Sequence, residues 1–317
     1  MMLRNKTTRP PASGWSILWR DLRKAIRGTE EDFTTIELRR AIILLAVPMI
    51  LELVMESTFA VVDIYFVGKL GPSAVATVGL TETYLYLLYS IGIGLSMAVT
   101  AIVARRVGEK NPGEAGLSAV QSIWLAVLAS VPFAIAGIFY SRELLSLMGA
   151  DEWALEEGYK YTRWMLGSNV VIMLLFVINA IFRGAGDAAI AMRILVISNL
   201  INIVLDPVFI FGWGTIPEMG IEGAAIASTI GRGIGVIVQV WFLIKGGKHI
   251  RILGEHVRLN ILSMMKILKT ALGGIGQMII AMTSWIFIMR ILADVGSEAV
   301  AGATITLRVM MFTMMPA

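Results

Sequence analysis

No cysteine occurs in the 317 residues, and histidine occurs twice, at His249 and His256. Without cysteine there is no disulfide, no thiolate zinc site and no thiol nucleophile. Both histidines fall in one basic stretch between apolar runs, so a histidine-based catalytic centre or an intramembrane histidine relay is not expected. Charge is also scarce. Asp, Glu, Lys and Arg make up 16% of the chain, against roughly a quarter in a soluble domain. What remains is apolar: 57% of residues are hydrophobic and the mean hydropathy is +0.77. The net charge of +4 says little by itself, whereas its distribution says a good deal.

Apolar runs of about 20 residues, long enough to cross a bilayer, recur at 41–67, 74–104, 117–140, 159–182, 190–213, 221–244, 265–293 and 299–317. Each is expected to be helical, because lipid cannot satisfy an open strand edge. The connecting loops alternate in charge. Arg20, Arg23, Lys24, Arg27, Arg39 and Arg40 precede the first run. Arg105, Arg106 and Lys110 follow the second, Arg183 and Arg193 flank the loop after the fourth, and Lys245, Lys248, Arg251 and Arg258 follow the sixth. The remaining loops are acidic or poor in cations, with Asp151, Glu152, Glu156, Glu157, Glu218, Asp294 and Glu298. Cationic loops stay in the cytoplasm, so the pattern predicts a multi-pass protein of the cytoplasmic membrane with its N-terminus inside.

In the first 40 residues no short apolar core precedes a small-residue cleavage site, so a signal peptide is not expected there. Trp15, Leu18, Trp19, Leu22 and Ile26 share one helical face and the cations lie mostly elsewhere, the pattern of a helix resting on an anionic membrane surface. A poorly ordered basic tail is the alternative.

The two ends of the long apolar region resemble each other. Gly71-Pro-Ser-Ala-Val-Ala76 pairs with Gly296-Ser-Glu-Ala-Val-Ala301, and at the same offset Glu52 meets Gln277, Ile50 meets Ile275 and Thr58 meets Thr283. Internal repeats are a common construction in transporters. The predicted organisation is a basic arm at 1–40, a six-helix transmembrane lobe at 41–247, a cytoplasmic connector at 248–264, and the first two helices of a repeated second lobe at 265–317. The fold class is therefore an all-α integral membrane bundle, apparently truncated within its second copy.

Charge at membrane depth is expensive and marks an ion or substrate path. Asp206 lies in the fifth run with Asn199 and Asn202 on its face. Glu52, Glu56 and Asp63 in the first run fall within about 40° of each other at 100° per residue. Asn202 and Asp206 are four apart and neighbours on a helix surface. Pro207 frees a carbonyl one turn earlier, a further oxygen ligand. Such oxygens suit a hard cation or a shared proton. Helix–helix glue is the plain alternative for Asn202 and Asp206.

Phe182-Arg183-Gly184-Ala185-Gly186-Asp187, the Asn199, Asn202, Asp206, Pro207 set, Gly223-Ala-Ala-Ile-Ala-Ser228, and Asp63-Ile-Tyr-Phe-Val-Gly68 followed by Leu70-Gly71 together resemble the multidrug and toxic compound extrusion (MATE) family. The likeness covers about residues 41–317 and is nearest to the DinF-like branch. It implies a cation- or proton-coupling site formed by Asp63, Asn202, Asp206 and Ser228, where the family commonly has Thr at the last position and Thr229 is a possible substitute. Another branch relies on a Glu in the seventh helix, where this chain has Gln277, so coupling through the first lobe is implied. Glu52 and Glu56 depart from the family pattern. With Asn199 they form either an additional acidic cavity or a solvated wall. Glu82 is expected to be solvated near the outer end of the second run. Tyr84, Tyr86, Tyr89, Tyr161, Trp164 and Phe176 are either rings that stack on flat cations or interfacial anchors.

The function implied is secondary active antiport: H+ or Na+ enters and a small organic compound, cationic and lipophilic, leaves. No other cofactor, no resident metal and no nucleic-acid partner is expected. The partners are membrane lipid and substrate, and the chain is expected to act as a monomer. Two rivals stand beside this. A lipid-linked oligosaccharide flippase would need a cationic cavity, whereas the intramembrane charge here reads as mainly acidic. A membrane prenyltransferase would use Asn202-x-x-x-Asp206 as half of a magnesium–diphosphate site, but the sequence has no second Asp-rich motif on an inner loop, where Asp187 is a single acid.

Overall fold

The computed structural model describes residues 14–28, 35–246, 250 and 252–314. Within them ten α-helices follow one another: α1 (Gly14–Arg27), α2 (Leu38–Gly68), α3 (Pro72–Gly108), α4 (Pro112–Leu147), α5 (Tyr159–Gly167), α6 (Asn169–Gly184), α7 (Ala188–Phe211), α8 (Gly220–Lys245), α9 (Ile261–Val295) and α10 (Ser297–Met314). Seven helical segments are long and apolar enough to cross a membrane. They match the first seven predicted runs. α10, with Glu298 and Arg308 in its 18 described residues, is not among them.

Local chemistry sets the helix starts. Pro72 and Pro112 open α3 and α4, where a missing N–H costs nothing. Asn111 caps α4 by accepting from the Glu114 N–H at 3.1 Å, and Asn260 caps α9 by accepting from Ser263 N–H at 3.0 Å. Gly71 and Gly296 stand directly before α3 and α10 with φ of +110° and +139°. The paired glycines of the sequence repeat thus share a positive φ, each at the turn that joins two long helices.

The predicted fourth span is one candidate crossing, Ala154–Gly184, with two local irregularities. A π-turn at Ala154–Gly158 leads into α5, and Ser168 interrupts the chain before α6. The buried Asn169 amide donates to the carbonyls of Ser130 and Leu166 beside this turn. α4 bends at Tyr140 (φ −126°, ψ 22°) and not at Pro132. α7 stays continuous through Pro207.

α3 is the axis of the bundle. It packs against α4, α6, α9 and α10, while α7 lies between α2 and α8. Val78, Leu85, Leu88, Val99, Val103, Met173, Ile178 and Ile181 fill the core. The connector docks under α4: the Gln121 amide donates to the carbonyls of His256 and Arg258, and its oxygen accepts from the Asn260 N–H. His256 is buried there, and its Nδ1 accepts from the Leu253 N–H.

The amphipathic arm is an ordered helix over 14–27, with 1–13 and 29–34 outside the described residues. It packs on α2 through buried Asp21 and Ala25, while Trp19 and Ile26 remain exposed. Asp21 pairs with Arg40 at 3.2 Å, and Arg193 of α7 donates twice to the Ile26 carbonyl. Of the apolar face expected to meet lipid, Leu18 and Leu22 are half-buried and Trp19 and Ile26 point outward.

Candidate functional site

α7 faces α8 across small residues. A Cβ on Gly231 would lie 3.0 Å from Asn202 Cβ and from the Ser198 carbonyl, tighter than ordinary contact, so glycine eases this approach. The approach buries Asn202 and Asp206. Among the described residues, none gives a hydrogen bond to any of the four polar side-chain atoms of this pair. Buried polar groups are normally satisfied, and an orphan carboxylate beside an orphan amide, one turn apart, requires an explanation. Two carboxylate oxygens, an amide oxygen and the carbonyl released by Pro207 form an oxygen-rich set that fits a hard cation or a proton.

Asp63 of α2 is also buried, on a helix that packs against α7. Its immediate partner is a residue that no sequence motif singles out. Arg308 of α10 donates from Nη1 to Asp63 Oδ2 at 3.0 Å and from Nη2 to Glu82 Oε1 at 2.6 Å. Glu82 is therefore not a solvated acid at a helix end. It is one arm of a bridge joining α2, α3 and α10. Ser228 lies on α8 one turn before Arg232 and lines a recess with Met165, Ser168, Ile172, Thr229 and Arg232. Among the described residues, no hydrogen bond joins it to Asp63, Asn202 or Asp206. The neighbouring Thr229 hydroxyl meets Ser168 Oγ at 2.9 Å.

The extra acids are both partnered. Glu52 is buried and pairs with Arg183 at 3.2 Å. Glu56 accepts from Asn199 Nδ2 at 3.0 Å and from Arg232 Nη2 at 3.4 Å. The acids inside the bundle still outnumber the cations, but Arg232 and Arg308 stand among the carboxylates. An arginine inside an apolar run is the signal that would have found both. Of the aromatic residues, Tyr161 is buried in the core, the Tyr84 hydroxyl donates to the Leu144 carbonyl, and Trp164 donates to Glu222. Tyr89 and Phe176 meet edge to face at 5.6 Å.

The MatE family model matches residues 48–208, just over half of the chain. The chain belongs to the MatE family. The match takes in Glu52, Glu56, Asp63, Asn202 and Asp206. Among curated relatives, the probable multidrug resistance protein YoeA of Bacillus subtilis is 30% identical over 286 residues, covering 88% of this chain and 61% of the relative. The probable multidrug resistance protein NorM of Thermotoga maritima is 28% identical over 282 residues, covering 89% and 60%. The chain thus spans about three fifths of the length of these relatives. An outward-facing MATE transporter of the MOP superfamily superposes with a TM-score of 0.77 at 26% identity, covering 92% of this chain and 63% of that one. The MATE multidrug transporter DinF-BH, solved as a ligand complex, shares the fold with a TM-score of 0.83 at 24% identity, covering 90% and 64%. This MatE protein is an all-helical, multi-pass membrane protein of a transporter family and not of an enzyme family.

Proposed function

We propose that the chain carries out cation-coupled export of small organic compounds bearing a positive charge, with Asp206 and Asn202 as the coupling site. The observation that carries this reading is the orphaned pair itself. In a membrane helix, four unsatisfied polar atoms are stable only if something exchanges with them, and a small cation or proton is what their oxygens accept. Asp63 is the second carboxylate of the site. Ligand entry at Asp206 alters the field that Asp63 and Arg308 feel. Binding of H+ or Na+ then favours one conformation by differential affinity. Ser228 borders the path on α8, and Glu52, Glu56 and Asn199 line its cytoplasmic side. The family relationship supports export, and the loop charges support a cytoplasmic membrane location with the N-terminus inside. The protein acts as a monomer in this reading, surrounded by lipid.

The test is efflux of a cationic rhodamine dye from proteoliposomes holding the chain, driven in separate arms by a pH gradient and by a sodium gradient. Wild-type protein is expected to export the dye under one of the two. Asp206→Asn, which keeps the shape and removes the charge, is expected to abolish driven export at unchanged membrane abundance. Driven export at wild-type rate in Asp206→Asn would overturn the assignment.

A further inference from the structure

Hydrogen bonds tie the arm helix α1 to two different spans, each near the point where its apolar run begins. Arg40 Nε, in the first turn of α2, donates to Asp21 Oδ1 at 3.2 Å in the middle of α1. Arg193, within the first two turns of α7, donates from Nε and Nη2 to the Ile26 carbonyl at 3.1 and 2.9 Å. A cation there also suits the negative end of the helix dipole. The five residues from Asp21 to Ile26 rise about 7.5 Å, close to the roughly 8–10 Å between packed helix axes. α1 therefore runs from α2 towards α7, along the level at which both spans become apolar. At about 100° per residue its side chains fall into three sectors of about 60° each. Leu18, Asp21 and Ala25 turn to the bundle, and the last two are buried. Trp19, Leu22 and Ile26 form an apolar sector, with Trp19 69% and Ile26 44% exposed. Arg20, Arg23 and Arg27 form a cationic sector beside it, all exposed and, among the described residues, without a carboxylate partner. Leu38 and Ile42 on the adjoining turns of α2 are exposed apolar residues as well.

We propose that α1 is a docking surface for anionic phospholipid, and that lipid bound there staples the start of α2 to the start of α7. Trp19, Leu22 and Ile26 enter the outer acyl layer, and Arg20, Arg23 and Arg27 meet the phosphates. A helix of this pattern lies in the interface, held by apolar burial together with attraction to anionic lipid. Each arginine at such a surface contributes about fivefold to affinity. The two sectors select the occupant jointly. A soluble polyanion would satisfy the arginines and leave Trp19 and Ile26 in water, whereas neutral lipid would cover the rings and leave the arginines without counter-charge. The spans joined are those that carry Asp63 and Asp206, so the charge of the leaflet reaches the packing of these two helices through Asp21 and Ile26. The inference goes beyond the export reading and does not depend on it.

The experiment places the purified chain in nanodiscs of phosphatidylcholine, alone or mixed with phosphatidylglycerol, and follows amide hydrogen exchange by mass spectrometry. Both leaflets of a disc have one composition, so the orientation of the chain does not enter. Exchange across residues 18–27 is expected to slow at least about tenfold with phosphatidylglycerol, and exchange in the first turns of α2 and α7 to slow with it. Phosphatidylserine, with a different headgroup of the same charge, is expected to act alike. Inorganic phosphate added to phosphatidylcholine discs is expected to have no effect. The combined Arg20→Gln, Arg23→Gln, Arg27→Gln variant is expected to lose the response. Asp21→Ala is expected to keep it in α1 and lose it in α2. Equal exchange of α1 in the two discs, an unchanged response in the folded triple variant, or the same slowing by inorganic phosphate would each overturn the lipid surface. A wild-type response confined to α1 would overturn the staple. If the triple variant fails to fold, wild type at about 1 M salt decides, because the screening length falls to about 3 Å. The response is then expected to vanish, and its persistence would overturn the proposal.

Discussion

Arg308 shows how one side chain can hold three helices. Its two nitrogens reach Asp63 on α2 and Glu82 on α3, and its own backbone belongs to α10. Asp63 and Arg308 are both almost fully buried, so water does little to screen them. Removing the arginine leaves two acids uncompensated, a loss of about 3–5 kcal/mol for a broken buried pair. Arg308→Gln is expected to lower the thermal midpoint of the detergent-solubilised protein by several degrees, and adding Asp63→Asn is expected to recover part of it. Melting of Arg308→Gln at the wild-type temperature would show that the bridge is not holding the helices together. The acids were legible in the sequence because a carboxylate inside an apolar run stands out against its neighbours. The bridge was not, because 245 residues separate Arg308 from Asp63 and no local pattern links them. Glu82 was misplaced for the same reason, since closeness to a helix end implies water only when no other helix covers that end.

Helix by helix, the elements were easier to read than their contacts. Seven spans follow from length and hydropathy, since backbone in lipid has no alternative to the helix. The turn at Ser168 has no signal in the sequence, where Asn169 and its partner Ser130 lie 39 residues apart. Proline was a poor guide to bending: Pro132 and Pro207 sit in helices that do not break there, and α4 bends at Tyr140. Glycine is informative only where a neighbour crowds it. A Cβ on Gly94 of α3 would lie 2.5 Å from the backbone nitrogen of Ile275 on α9, and backbone cannot step aside as a side chain can. Gly273, on α9 itself, has nothing within 4 Å. Gly94→Ala is therefore expected to cost about 1–3 kcal/mol through overpacking. Gly273→Ala is expected to be neutral or to gain up to about 1 kcal/mol of helix propensity. Scanning fluorimetry of the two variants side by side checks this, and equal midpoints would mean that α3 and α9 are not packed as described.

Across the whole molecule, the two ends of the bundle differ in the same sense as the loop sequences. At one end Arg40 meets Asp21, Arg193 holds the Ile26 carbonyl, and the connector at His256 to Asn260 is pinned to α4. At the other, Ser73 donates to Asp151, Trp164 donates to Glu222, and Arg290 pairs with Asp294. The first end gathers the cationic loops. Under the proposed topology these loops face the cytoplasm, as cationic loops do. The absence of cysteine makes this directly measurable, because any single introduced thiol is the only one present. Gly113→Cys, in the exposed turn at the start of α4, and Thr215→Cys, in the exposed turn between α7 and α8, report the two ends. A membrane-impermeant maleimide applied to intact cells is expected to label Thr215→Cys and to leave Gly113→Cys unlabelled until the cells are opened. The reverse pattern would turn the protein over and place Glu56 and Asp206 on a path leading the opposite way, and export would no longer follow from the direction of the coupling gradient.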